Sequence, residues 1–267
     1  MIHTDYHIHS THSPDGHNTP AEICRQALSQ GMTEIAITDH MEWAPGGRHM
    51  QPDFERYFAD LEACRAEFGP AGLTLLSGVE LGNPHEYRAE ADALLAAHSF
   101  DVVIGSVHWL DGYNIHDTVC FNGRDPYAVY ADYFASMAAL VREADFHMVA
   151  HFDRIFQAGA RRYGPPLPER LEPAVRPVLD AMVDRGRVLE LNGRFLTRDP
   201  GWNDTLVAVM GWFREAGGAG VAINSDAHRV SEIGRNWEVG LALLAEAGFD
   251  APARLGVPIA LQAGSSG

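Results

Sequence analysis

Hydrophobic and polar positions follow two different patterns along the chain. Short unbroken apolar runs, rich in β-branched residues, are separated by longer segments in which apolar residues recur with the helical period. Unbroken apolar runs are typical of parallel strands that are buried on both faces. The pattern predicts seven such strands, at residues 6–9, 34–38, 73–79, 102–107, 148–150, 188–191 and 221–224.

The segments between these runs predict helices. The first opens with a capping box, in which Thr19 is the N-cap, Pro20 takes the first helical position and Glu22 the third. Gly31 follows as a stop signal. We predict helices over residues 20–29, 54–68, 85–97, 125–144, 168–184, 204–216 and 231–247.

Seven strand–helix units follow one another without a change in composition, which is typical of an α/β fold with a parallel sheet. The stretch after the first run is rich in histidine and lacks the glycine-rich phosphate loop of a doubly wound sheet. We therefore predict a single barrel domain over residues 1–262, followed by a flexible tail at 263–267. In such barrels the chemistry lies at the carboxyl ends of the strands.

Composition narrows the classes of function. The 267 residues carry 36 acidic and 20 basic side chains, and the formal charge of −16 opposes binding to nucleic acid. The three cysteines are isolated, which argues against a disulfide framework and against a thiolate zinc site. We find neither a signal peptide nor a membrane-spanning apolar run, so we expect a cytoplasmic protein with no membrane partner.

The fourteen histidines are the unusual feature of the chain. We interpret His3, His49, His85, His98 and His147 as surface or structural residues. Most of the others stand where a predicted strand ends, together with carboxylates. These strand-end residues are His7, His9, His40, Glu80, His108, His151, Glu190, Asp226 and His228.

The carboxyl ends of parallel strands meet at one rim of a barrel, so these side chains are expected to converge. Unpaired buried charge is costly, and divalent metal ions would neutralise it. Imidazole and carboxylate ligands without thiolates suit Zn, Mn or Fe better than Ca or Mg. About nine ligands exceed the need of one tetrahedral ion, so we predict a cluster of about two to three divalent transition-metal ions bridged by a carboxylate.

The order of these motifs resembles the PHP (polymerase and histidinol phosphatase) superfamily over residues 5–240. Residues 100–108 and the Glu190-Leu191-Asn192 motif resemble its monofunctional histidinol-phosphatase branch. The resemblance implies a distorted (β/α)7 barrel with a trinuclear metal centre, in agreement with the seven units above. The motifs are His7-x-His9, Thr38-Asp39-His40, Gly78-x-Glu80, Gly105-Ser106-Val107-His108, His151-x-Asp153 and Ser225-Asp226-Ala227-His228.

When the family's ligand positions are carried over motif by motif, the resemblance implies one set of ligands for each ion. Glu80 would bridge the first two ions. In the third set, a common form of the branch has a histidine where this chain has Asp15, and we favour Asp15 because a carboxylate serves as well. His17 is the alternative, as a ligand or a substrate contact, and His12 is interpreted as structural. The three sets are His7, His9, Glu80 and Asp226; Glu80, His108 and His151; and His40, His228 and Asp15.

The same resemblance implies hydrolysis of L-histidinol phosphate to L-histidinol and phosphate, a step of histidine biosynthesis. The metals would generate hydroxide near neutral pH, bind phosphate oxygens and neutralise charge as the ester bond breaks. Glu80, Asp226 and His228 are the predicted catalytic residues, without an assignment of the general acid.

Recognition of the substrate calls for further groups. Guanidinium binds phosphate through paired hydrogen bonds, and the candidates near strand ends are Arg154, Arg194, Arg198 and Arg229. We favour Arg154, which is close to His151, and Arg198, by its family position. For the cationic end of the substrate we predict an acidic rim made of Glu42, Asp111, Asp117 and Asp153.

Two alternatives stay open. The first is a PHP phosphoesterase that acts on another small phosphate ester or on a nucleotide. The second is a non-catalytic protein that binds or stores metal. Ligands spread over several strand ends around an open rim favour catalysis, since structural metal sites are closed and local.

Overall fold

Seven parallel strands, paired in the order in which they occur in the chain, form the central sheet. The computed structural model describes residues 4–196 and 200–255, apart from the side chains of Arg48 and Pro200. Three further short strands add an antiparallel partner to the second strand and a separate hairpin. Numbered along the chain, the strands are β1 (Thr4–Asp5), β2 (Glu34–Ala44), β3 (Arg48–Met50), β4 (Thr74–Gly82), β5 (Val102–Ser106), β6 (Trp109–Leu110), β7 (Tyr113–Asn114), β8 (Met148–Val149), β9 (Val188–Asn192) and β10 (Val221–Asn224).

The first and last strands approach each other, so the sheet is nearly closed. Ile8 and Ala227 form an isolated parallel bridge. Next to it, the His9 amide donates to the Ala227 carbonyl at 2.8 Å, and the Tyr6 amide donates to Asn224 Oδ1 at 2.9 Å. The predicted (β/α)7 barrel is confirmed.

Helices cover the outside of the sheet, and one large apolar layer fills the space between them. Thr19 caps the first helix through the predicted box, with Glu22 bonded back to the Thr19 amide. The helices are α1 (Pro20–Ser29), α2 (Phe54–Phe68), α3 (Arg88–Ala97), α4 (Pro126–Glu143), α5 (Arg154–Tyr163), α6 (Pro168–Asp184), α7 (Pro200–Glu215) and α8 (Trp237–Glu246).

The inner face of the barrel is apolar near the amino ends of the strands and polar near their carboxyl ends. Because alternate residues of a strand share a face, Ala36 and His40 point to the same side of β2, and Leu76 and Glu80 to the same side of β4. Near the amino ends this face carries a second, smaller apolar cluster. Toward the carboxyl ends it carries histidines and carboxylates. The small cluster contains Tyr6, Ala36, Val102, Ile104, Met148, Ala150, Val188, Ala222 and Leu255.

Several elements differ from the predictions: β3, β6 and β7 were not predicted, and α8 begins at residue 237 instead of 231. β1 lies at Thr4–Asp5, just before the predicted strand at 6–9, because the amides of Tyr6 and Ile8 bond to the side chains of Asn224 and Thr38 instead of to strand backbones. β2 continues through residue 44, where β3 pairs with its end. Helix α5 was not predicted; it contains Gly159, whose missing side chain makes room for the Tyr130 hydroxyl.

The extent of the domain stays a prediction, and its proposed tail at 263–267 lies outside the described residues. Within residues 4–196 and 200–255, no helix has the length and apolar character needed to cross a bilayer.

Candidate metal centre

The structure brings the nine predicted metal ligands together at the carboxyl end of the barrel. Most are buried, whereas Asp15 leaves half of its side chain exposed. Two of them, His151 and Asp226, have positive φ values of +23° and +50°, a strained backbone that often marks functional sites. We call the nine residues the histidine–carboxylate cluster: His7, His9, Asp15, His40, Glu80, His108, His151, Asp226 and His228.

The carboxylate of Glu80 lies at the centre of this cluster. It is fully buried, and its Oε1 accepts a hydrogen bond from Ser106 Oγ at 2.6 Å. Five imidazole nitrogens surround its two oxygens, as expected of a bridging ligand. They are His40 Nδ1 at 2.7 Å, His151 Nε2 at 3.0 Å, His108 Nε2 at 3.2 Å, His7 Nε2 at 3.4 Å and His9 Nε2 at 3.6 Å.

The charges in the cluster shift the pKa values of its members in opposite directions. Burial alone would raise the pKa of Glu80, but His7, His40 and His108 hold it well below its usual range. Burial alone would lower the pKa of His7, but Glu190, Glu80 and Asp226 raise it well above the usual value. The same concentration of negative charge that raises the pKa of His7 favours a divalent cation.

Two further carboxylates orient the imidazoles. His7 Nδ1 donates to Glu190 Oε1 at 2.8 Å, so that its Nε2 faces Glu80. His108 Nδ1 donates to Glu42 Oε1, so that its Nε2 also faces Glu80. A carboxylate on one ring nitrogen fixes the tautomer and leaves the lone pair of the other nitrogen available for a metal ion.

The donor atoms fit a metal cluster. Four of them are buried without a hydrogen-bond partner in the described parts of the chain: His7 Nε2, His9 Nε2, His40 Nδ1 and Glu80 Oε2. Buried polar atoms of this kind are costly unless something satisfies them, and divalent ions do so. The ligand atoms form four overlapping groups, each within 4.8 Å: His9, His40 and His228; His7, His151 and Asp226; His7, His9 and Glu80; and His40, Glu80 and His108.

The loop after β1 contains the candidates for the third set. Asp15 Oδ2 lies 3.6 Å from His40 Nε2 and 3.2 Å from His228 Nε2. His17 instead points to Arg229, whose Nη2 is 2.9 Å from His17 Nε2. His12 pairs with Asp60 on α2 at 3.1 Å. In this geometry Asp15, and not His17, approaches the other members of its set.

A cavity of about 220 Å³ opens above the cluster. Arg154 and Arg194 line it. Arg154 contacts His151 and His116, and Arg194 Nη1 is 2.8 Å from His228 Nδ1. Two guanidinium groups therefore face the space where a phosphate would meet the cluster. Arg198, favoured by the sequence, lies outside the described residues.

Of the four predicted members of the acidic rim, Glu42 alone lines the cavity, and the prediction is wrong for Asp153. Glu42 is 3% exposed because it accepts hydrogen bonds from His108 and from the Trp109 indole. Asp153 is 2% exposed, and burial raises its pKa to about 7. Asp111 is exposed but pairs with Arg124 at 3.2 Å.

Sequence reasoning missed the uncharged part of the cavity wall. Met50, Trp109, Asn114 and His116 line the cavity together with the charged groups. Three of them lie on β3 and on the β6–β7 hairpin, neither of which was predicted. The Asp111-Gly112 pair, with positive φ at both residues, is a signal for a two-residue hairpin turn that could have revealed the second element.

Several known proteins are similar to this chain over most of its length. The probable histidinol-phosphatase of Clostridium acetobutylicum is 27% identical over 241 residues, covering 90% of this chain and 91% of that protein. The histidinol-phosphatase of Lactococcus lactis is 24% identical over 252 residues, covering 92% and 91%. A crystal structure of the histidinol phosphate phosphatase from Lactococcus lactis, complexed with zinc, L-histidinol and phosphate, has the same fold, with a TM-score of 0.82 at 22% identity and coverage of 92% and 94%.

The family model of the PHP domain matches residues 5–194, which include the cluster residues from His7 to His151. The match spans more than half of the chain. The chain belongs to the PHP domain family.

Proposed function

We propose that the protein is a metal-dependent phosphomonoesterase that hydrolyses L-histidinol phosphate to L-histidinol and phosphate. The observation that carries the proposal is the convergence of imidazole nitrogens on buried Glu80, directly below a cavity lined by Arg154 and Arg194. Relatives similar over about nine-tenths of the chain are histidinol-phosphatases by name, and this supports the choice of substrate.

The cluster would hold its ions in the three sets expected from the sequence. Glu80 is suited to bridge the first two sets, because nitrogens from both lie within 3.6 Å of its carboxylate. Asp15 is suited to complete the third, next to His40 and His228. When bound, the ions would supply activation of water near neutral pH and neutralisation of the phosphate charge.

The residues of the chain itself bind and orient the substrate. Arg154 and Arg194 would hold phosphate oxygens, since guanidinium donates paired hydrogen bonds to them. Asp226 and His228 line the cavity beside Arg194, and Glu80 lies beneath them. We therefore propose Glu80, Asp226 and His228 as catalytic residues.

Metal analysis and a panel of phosphate monoesters test the proposal. We expect purified protein to carry about two to three transition-metal ions per chain, identified by anomalous scattering at the Zn, Fe and Mn edges. Fewer than about one ion with full activity would contradict the metal cluster.

The panel compares histidinol phosphate with glycerol phosphate and a nucleoside monophosphate, at fixed metal and ionic strength. We expect kcat/KM to be about ten to a hundred times higher for histidinol phosphate. If the nucleotide is preferred, the substrate assignment is wrong while the metal chemistry stands. If the metal-loaded protein hydrolyses none of the esters, it binds metal without catalysis. The predicted location in the cytoplasm, where a biosynthetic enzyme would act, belongs to the same proposal.

A further inference from the structure

The wall of the cavity has two chemically different parts. The inner part consists of cluster residues together with Glu42, His116, Arg154 and Arg194, all of them charged, ionisable or able to bind metal. The outer part contains the side chains of Met50, Trp109 and Asn114, none of which ionises. We call these three residues the neutral lip.

The neutral lip is built by elements that lie outside the seven-stranded barrel. Met50 is on β3, opposite Glu42 in the antiparallel pairing with β2. Trp109 and Asn114 are paired with each other across the β6–β7 hairpin. The barrel therefore supplies the phosphate end of the cavity, and two short antiparallel additions supply the other end.

Trp109 of the lip is held relative to the cluster by hydrogen bonds. The Trp109 indole donates to Glu42 Oε2 at 3.2 Å, and Glu42 also accepts from His108. The amides of His108 and Trp109 donate to Asn83 Oδ1 at 2.7 Å and 3.0 Å. A group bound against the lip is thus positioned relative to His108.

Charge does not explain recognition of the end of the substrate that carries no phosphate. Of the carboxylates predicted to attract it, Glu42 lines the cavity, but its two oxygens already accept from His108 and from the Trp109 indole. Asp153 is buried, Asp111 is paired with Arg124, and Asp117 is exposed but does not line the cavity. Asp15 and Asp226 do line the cavity, but they lie against cluster histidines. What remains at the outer part is a thioether, an indole and an amide, which offer packing and hydrogen bonds.

We propose that the neutral lip binds the imidazole end of histidinol phosphate and that Met50 is a residue that determines specificity. This inference rests on the proposed function. A thioether and an indole edge pack well against an aromatic ring, and Met50 is 39% exposed, which leaves its side chain accessible to a ligand. Glycerol phosphate carries no ring and cannot use this contact.

The test is a comparison of Met50 variants in the metal-loaded enzyme. Met50→Ala removes the contact, and we expect kcat/KM for histidinol phosphate to fall about fivefold, mainly through KM, with glycerol phosphate changed by less than about twofold. Met50→Leu keeps an apolar side chain of similar size and should retain most of the preference. Tyr113→Ala is the matched control, since Tyr113 is 51% exposed on the β6–β7 hairpin, next to Asn114 of the lip, but does not line the cavity.

A second measurement does not depend on turnover. Calorimetric titration of the metal-loaded protein with L-histidinol should give a Kd about fivefold weaker for Met50→Ala and unchanged for Tyr113→Ala. Equal loss on both esters, or an unchanged Kd for L-histidinol, would overturn the role of Met50 while leaving the phosphatase proposal intact. Failure of the unmodified enzyme to act on histidinol phosphate would instead contradict the proposed function.

Discussion

The two ends of the barrel's inner face both contain fully buried side chains but differ in chemistry. Near the amino ends, Val102, Ile104 and Met148 are fully buried in an apolar cluster. Toward the carboxyl ends, Glu80 and His151 are just as inaccessible. The apolar end gains stability from burial itself, whereas the charged end has donor atoms without a hydrogen-bond partner among the described residues, which a bound cation would satisfy. Burial at one end stabilises the fold, and burial at the other prepares a binding site.

The sharpest test of this contrast is Glu80→Gln, which keeps the shape of the side chain and removes its charge. We expect kcat/KM to fall about a thousandfold or more, together with loss of metal, because the carboxylate is shared between two sets of ligands. His9→Ala, which removes a ligand of one set only, should cost less. Equal, modest losses in the two variants, measured with metal content, would show that Glu80 is not a bridge.

The next largest effect is expected for Asp15, the exposed member of the histidine–carboxylate cluster. Asp15→Ala should lower activity by roughly a hundredfold and remove about one ion per chain, because Asp15 lies beside His40 and His228. His17→Ala is the matched variant on the same loop and should keep its metal, since His17 faces Arg229. Loss of an ion in His17→Ala alone would reverse the assignment. Elemental analysis of both proteins decides between them.

At the apolar end, a deletion should change stability and leave the chemistry alone. Val102→Ala removes two buried methyl groups, and we expect the free energy of unfolding to fall by about 2 kcal/mol. Metal content and kcat of the folded protein should stay the same. Urea unfolding measures the free energy of unfolding. A metal content that falls with stability would mean that the two ends of the inner face are coupled.

Asp153 is a buried carboxylate beyond the nine cluster residues, and its effect on stability depends on pH. Neither of its oxygens has a hydrogen-bond partner among the described residues, and burial raises its pKa from 3.8 to about 7. A carboxyl group whose pKa is higher in the folded than in the unfolded state makes the fold less stable as the pH rises. The loss begins at the unfolded-state pKa and continues through the folded-state pKa. In chelator-treated protein, Asp153→Asn should therefore melt at nearly the same temperature as the unmodified chain near pH 4 and at a higher one above pH 7.

The control for that experiment is Asp180→Asn, which removes an exposed charge from α6. Its melting temperature, measured over the same pH range by circular dichroism, should stay close to that of the unmodified chain. A constant difference between Asp153→Asn and the unmodified chain at all pH values would contradict the raised pKa.

The sequence was informative where local pattern determines structure. The limits of α2 and α6 agree with the predicted helices, because their apolar period is a local signal, joined by the Asp53 cap in α2 and by Pro168 at the start of α6. The convergence of strand-end histidines followed from the barrel alone. The role of Glu42 did not, because its pairing with His108 joins residues 66 positions apart and depends on the register of β2 against β4 and β5.

The neutral lip escaped prediction for a related reason. β3 has three residues, and β6 and β7 have two each, which is too short for a period to be visible. Such strands exist because a turn and a partner hold them, as in the pairing of Trp109 with Asn114. The same holds for α5, where Gly159 is a poor helix former by itself and is explained only by the approach of Tyr130.

The contact between the first and last strands of the barrel also determines when the histidine–carboxylate cluster can form during synthesis. The Tyr6 amide and the Asn224 side chain that bond across it are 218 positions apart, and His7 and Asp226 meet at the same place. On the ribosome the first histidines of the cluster emerge long before their last carboxylate. At the usual speed of translation that interval is on the order of ten seconds or longer. The cluster can therefore form only late in synthesis, after β10 has left the exit tunnel.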